Sequence, residues 1–236
     1  MGSLIPFTRP DGQTAQGWLE TPAGDSASAP GLVVIQEWWG LNDQIKGVAH
    51  RYAEAGYRVL VPDLYRGRCT LDAQEAEHLM TGLDFADAAS QDVRGALQWL
   101  QAGGSPRVGV TGYCMGGALT LLSTVFCPEA DAAAAWYGFP PLAYLDPARI
   151  RAPLLGHFAT QDAYFPVAQV AELEALMAQA GVRFECHRYE AKHAFANELA
   201  VPPHCPPTNA YDPAAAALAW DRTLDFLGRH LATADR

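Results

Sequence analysis

The chain has 236 residues, half of them hydrophobic, and a formal charge of −10 from 26 acidic against 16 basic side chains. That length buries one large core, so the expectation is a single α/β domain over 1–236. The negative balance excludes a general polyanion binder, and nucleic acid with it, because such a surface repels a phosphate backbone.

In chain order, "LIPFTRPDGQTAQGWLETP" predicts two short strands around a "DG" turn, followed by a loop bounded by Pro22, Gly24 and Pro30. "GLVVIQEWW" reads as a buried strand with Glu37 at its end. "DQIKGVAHRYAEAGY" reads as a helix with Ile45, Val48, Ala49, Tyr52 and Ala53 on one face, Asp43 as its cap and Gly56 as its stop. "RVLVPDLY" is the next strand, and a polar stretch from about Arg66 to Asp84 leads to the helix "SQDVRGALQWLQAGG", with Ser90 as expected N-cap. The strands "RVGVTGY", "DAAAAWYGF" and "APLLGHFATQD" follow. A helix then runs from Pro166 to Gly181, "RFECHRYE" forms a last strand, and a closing helix spans about Asp212 to Ala232. Strands apolar along their length, alternating with helices, imply a mostly parallel twisted sheet of about seven or eight strands with helices on both faces. The proline-rich segment 194–211 has no period and is expected to be a loop at the mouth of a site.

No apolar run approaches the roughly 20 residues that span a bilayer, and "MGSLIPFTRPDG" lacks a basic region followed by an apolar core, so the expectation is a cytoplasmic protein without a membrane partner. The five cysteines, Cys69, Cys114, Cys127, Cys186 and Cys205, are odd in number and lack framework spacing, so they are expected to be reduced thiols. "ECHRYEAKH" and "HCPP" cluster Cys and His without a CxxC pair or an HExxH, which argues against a metal site.

One motif carries chemistry. "GYCMGG" matches the nucleophile elbow G-x-nucleophile-x-G of the α/β-hydrolase fold, in which a strand turns sharply into a helix and lifts the central side chain above the sheet. The helix start behind Cys114 supplies partial positive charge and free N–H groups, surroundings that favour a thiolate and can hold an oxyanion. The competing use of Cys114 is as a small hydrophobe in a tight turn. In this fold the acid and the histidine follow the nucleophile in that order. Asp162 ends the strand "APLLGHFATQD", and His193 follows the last strand in "YEAKHAF". Asp162 also suits the cap of the helix starting at Pro166, and His193 an ordinary loop position. The other histidines fit a base less well: His50, His78 and His230 lie on helical patterns, His157 and His187 within strands, and His204 between prolines. Glu37 stands at the same sheet edge as Cys114.

"QEWWGL", "GYCMGG", "QDAYFP" and "KHAFAN" together resemble the dienelactone hydrolase family, over about residues 15–230. The resemblance implies an α/β-hydrolase fold without a large cap domain and a Cys114–His193–Asp162 triad that forms a thioester. Glu37 would contact the resting thiol until substrate displaces it to take the thiol proton. The backbone N–H groups of Trp38 and Met115 would form the oxyanion hole, with no cofactor and no metal. Dienelactone-cleaving members hold a substrate carboxylate with two arginines, whereas here Asn197 stands where one is expected and 69–93 contains no arginine. The expected partner is therefore a small neutral or hydrophobic ester or lactone, walled by Trp39, Tyr137, Phe139, Tyr164, Phe195 and Asn197, on a monomer or homodimer. Acyl transfer, phosphotriester hydrolysis and an inactive ligand-binding module are the alternatives.

Overall fold

The alternating patterns resolve into β1 (Ser3–Thr8), β2 (Thr14–Glu20), β3 (Gly31–Ile35), β4 (Arg58–Pro62), β5 (Val108–Tyr113), β6 (Ala132–Trp136), β7 (Leu154–Ala159) and β8 (Phe184–Tyr189). The structure is a computed structural model and describes residues 2–24, 27–202 and 205–232; of the proline-rich loop, Pro203 and His204 lie outside the described residues. The strands form one sheet in the order β1-β2-β4-β3-β5-β6-β7-β8. From β4 to β8 all neighbours are parallel, and β1 and β2 pair antiparallel at one edge. The register sets Ile35 against Gly112, Tyr113 against Trp136 and Ala159 against Tyr189. The segments that follow β3, β5, β6, β7 and β8 therefore all leave from one edge, where open α/β sheets carry their sites.

Two apolar layers cover the sheet. On one face α1 (Asp43–Glu54) and α7 (Pro213–Leu231) bury Ile45, Val48, Tyr52, Ala219, Phe226 and Leu231 against Leu32, Val34, Val59 and Ala134. On the other lie α2 (Ala73–Thr81), α3 (Phe85–Asp87), α4 (Arg94–Ala102), α5 (Met115–Phe126) and α6 (Val167–Gln179). The side chains of β3, β5 and β6 are buried throughout, as expected of parallel strands covered on both sides.

The helix starts differ from expectation in three places. Asn42, not Asp43, caps α1, its Oδ1 accepting from Ile45 N at 3.1 Å; Asp43 is the first helical residue, where its charge still complements the helix dipole. Ser90 caps nothing, because the helix begins earlier: Asp84 accepts from Asp87 N at 3.0 Å, and α3 runs through a π-helical turn, Ala88–Val93, into α4. The stretch expected to be a polar connection contains α2, capped by Asp72. Its buried stripe consists of Ala76 and Leu79 alone, too thin a pattern to stand out against five polar neighbours.

His157 shows why a strand histidine makes a poor base. It is fully buried, its Nδ1 lies 2.8 Å from the Tyr189 hydroxyl and its Nε2 2.8 Å from Thr223 Oγ1. Burial holds it well below the ordinary histidine range. Among the described residues no helix is long and apolar enough to cross a membrane.

Candidate active site

Cys114 is the corner between β5 and α5, with φ 54° and ψ −116°, a conformation non-glycine residues avoid. The corner closes only because its neighbours lack a Cβ: one added to Gly112 would strike the Gly116 carbonyl, and one on Gly116 would strike the carbonyls of Ile35 and Gln36. The Cys114 carbonyl accepts from Gly117 N at 2.9 Å and Ala118 N at 3.2 Å, which anchors the helix start behind the sulfur.

Asp162 follows β7 and His193 follows β8. His193 Nδ1 lies 2.8 Å from Asp162 Oδ2, and its Nε2 lies 3.2 Å from Cys114 Sγ. Because a carboxylate only accepts, the first contact puts a proton on Nδ1 and aims Nε2 at the sulfur. Asp162 Oδ1 meanwhile accepts from Tyr164 N at 2.8 Å and Phe165 N at 3.1 Å. Oδ2 thus orients the imidazole and Oδ1 closes the turn before α6, but Asp162 does not cap that helix, whose N-cap is Pro166 with no side-chain cap. His193 is 3% exposed, and Tyr137, Tyr164 and Phe165 enclose it with ring centroids 5.2, 4.9 and 5.9 Å away. Burial opposes its charged form, but the Cys114 sulfur and the Asp162 carboxylate outweigh this and raise it to about 10. The histidine is thereby suited to stand as imidazolium beside the sulfur, with aromatic faces around it.

Glu37, just past β3, lines the same cavity as Cys114 but takes its hydrogen bonds from other partners. Its Oε1 accepts from the Tyr137 hydroxyl at 3.0 Å and its Oε2 from Asn197 Nδ2 at 2.6 Å. This corrects the expectation of a glutamate on the resting thiol: two neutral donors hold the carboxylate, and the thiol faces His193. Burial raises Glu37 above the usual carboxylate range, partly offset by Asn197, His193 and Tyr137.

Trp38 N and Met115 N find no acceptor among the turn, loop and cap hydrogen bonds of the described residues. Both residues line a cavity of about 260 Å³ above the sulfur, along with Trp39, Phe139, Tyr164 and His193. Three residues expected as its walls are not. Tyr137 and Phe195 are fully buried, Tyr137 spending its hydroxyl on Glu37 and Phe195 packing on Trp136, Tyr137 and Tyr189. Asn197 holds Glu37 and lines a neighbouring cavity instead. Conversely, Met80, Phe85, Phe165, Pro140, Pro141 and Asn209 line the site without having been foreseen. Phe165 alone left a local signal, lying three residues after Asp162. No arginine or lysine is among the cavity walls, and among the described residues no group of three His, Cys, Asp or Glu side chains is arranged to hold a metal ion.

A family-wide sequence profile, the dienelactone hydrolase family, matches residues 16–231. The chain belongs to the dienelactone hydrolase family. As a member it is a hydrolase with the α/β-hydrolase fold. Protein usf of Aquifex pyrophilus is 30% identical over 98% of this chain and all of its own. A protein of Aquifex aeolicus, provisionally named a carboxymethylenebutenolidase, is 27% identical over the same shares. Among solved structures, a dienelactone hydrolase-like promiscuous phosphotriesterase from metagenomic libraries shares the fold with a TM-score of 0.85, at 23% identity over 98% of this chain and 99% of that one.

Proposed function

We propose that this family member hydrolyses neutral or hydrophobic carboxylic esters or lactones through a thioester on Cys114. The observation that carries the reading is the continuous Asp162–His193–Cys114 chain, with contacts of 2.8 and 3.2 Å, opening into a largely apolar cavity with no arginine or lysine in its wall. In this reading Sγ attacks the carbonyl carbon and the oxyanion forms beside Trp38 N and Met115 N. His193 gives its proton to the leaving oxygen as the C–O bond breaks. Water, deprotonated by His193, then attacks the thioester and returns Cys114. The five free thiols fit a reducing compartment, and the cytoplasm is the proposed location of this one-domain enzyme.

The test is a panel of p-nitrophenyl esters, neutral lactones and anionic dienelactone. Neutral substrates are expected to exceed dienelactone in kcat/KM by at least about tenfold, the loss when a carboxylate meets no arginine or lysine to clamp it. A preference for dienelactone would sink the substrate assignment. A neutral phosphotriester belongs in the same panel, since the fold neighbour named for that activity makes it the natural second class.

Glu37 is proposed to leave Tyr137 and Asn197 when substrate binds, take the thiol proton before acylation and return it when Cys114 is released, a role its burial supports by raising its proton affinity. Glu37→Gln should slow the acylation burst by roughly 10²-fold, the scale of one proton-transfer group, without unfolding the protein. An unchanged burst in stopped flow removes Glu37 from the proton path.

A further inference from the structure

The apolar wall of the cavity above the thiol is built mainly from rings. Trp38 and Trp39 come from the segment after β3, Phe85 from α3, Phe139 from the segment after β6, and Tyr164 and Phe165 from the turn after β7. Met80 and Met115 add two thioethers, which also pack well on aromatic edges. Among the described residues no leucine, isoleucine or valine lines this cavity. The neighbouring cavity is the opposite case: Leu71, Leu199 and Val201 line it, and Trp39 is its single ring. Burial of apolar surface would be served by either kind of wall, so the choice of rings asks for a further reason.

The rings are held in place and yet left uncovered. Trp38 and Trp39 meet edge to face with centroids 5.0 Å apart, Phe139 and Phe165 lie 5.0 Å apart, and the Tyr164 hydroxyl is tied to Thr208 Oγ1 at 3.0 Å. Tyr164 nevertheless stands 49% exposed, and Trp38, Trp39, Phe85 and Phe165 are only half-buried. Phe165 also lies within 26° of parallel to the His193 imidazole. A flat aromatic ring entering between these walls would meet ring edges and faces and would adjoin the positively charged imidazole. Both contacts reward a π system and give nothing extra to a saturated ring of the same size.

We infer that this cavity is an aryl subsite, and that the preferred substrates carry an aromatic ring one carbon away from the scissile ester. This rests on the ester-hydrolase reading above and narrows it.

Two matched pairs test it: benzyl against cyclohexylmethyl acetate, and ethyl phenylacetate against ethyl cyclohexylacetate. Each kcat/KM is divided by the ester's own rate of hydrolysis by hydroxide, which removes intrinsic reactivity. In at least one pair the aromatic member should lead by roughly three- to tenfold, the scale of one or two ring contacts. Phe85→Leu and Tyr164→Leu, checked for folding by circular dichroism, keep an apolar wall and remove a ring. Each should slow the aromatic member more than the saturated one and cut the lead by about half or more. Saturated members that match or lead in both pairs overturn the assignment. So do variants that leave the lead intact or slow both members equally, since the walls then act by apolar area alone. If no ester is hydrolysed, the hydrolase reading fails by itself, and calorimetry decides the subsite. Benzamide should then bind about threefold or more tighter than cyclohexanecarboxamide, with the difference lost in Phe85→Leu; equal binding, or none, overturns it.

Discussion

Replacing Cys114 with alanine should lower ester turnover by roughly 10⁴- to 10⁶-fold, the loss typical of removing a covalent nucleophile, while the protein stays folded. Serine should restore little of it. The sulfur helps hold the imidazole up to about 10, which keeps His193 cationic at neutral pH and makes it a partner for a thiolate more than a base for a hydroxyl. The sign can be checked directly. In the wild type the imidazolium should persist from below the ordinary histidine midpoint near 6.5 up to about 10. In Cys114→Ala, Asp162 alone is left to offset burial, and the ring should titrate lower. Ring resonances of His193 in a pH series measure both midpoints, and equal values would refute the thiolate–imidazolium pair. Iodoacetamide followed by peptide mapping gives a second reading: Cys114 should label first. Burial pushes Cys127 and Cys186 up to about 12, so those two should resist.

The parts of this site legible in the sequence were those set by short-range rules. The elbow is readable because glycines at 112 and 116 meet a backbone clash and leave a single residue raised between them. Asp162 and His193 are readable because strand ends in a parallel sheet share one edge, so chain order predicts neighbours in space. What stayed hidden is long-range. Glu37 is held by Tyr137 and Asn197, 100 and 160 residues away, and no local period announces such contacts. The wall formed by Met80 and Phe85 is hidden for a different reason: α2 buries only Ala76 and Leu79 and the short α3 buries nothing, so their period disappears into the surrounding polar stretch. Tyr137 and Phe195 were drawn toward the pocket by their aromatic character, although full burial is the commoner fate of a ring next to a core strand.

Asp162 is where fold and chemistry can be separated by one atom, and a pair of variants should do so. Asp162→Asn keeps an oxygen for the N–H groups of Tyr164 and Phe165, so the turn before α6 should survive and stability should change little. Its amide nitrogen, however, would face His193 Nδ1 as a donor. The imidazole must then carry its proton on Nε2, pointing it at a sulfur it can no longer orient against, and turnover should fall by roughly 10⁴-fold. Asp162→Ala loses the same rate and also strands two turn N–H groups, at a cost of about 1–2 kcal/mol in chemical denaturation. The two losses are independent observables. An asparagine variant as unstable as the alanine one would show that the Oδ1 contacts do not hold the turn. An asparagine variant that kept its turnover would show that the 2.8 Å contact to Nδ1 does not orient the base, and the imidazole would need another anchor among the rings of Tyr137, Tyr164 and Phe165.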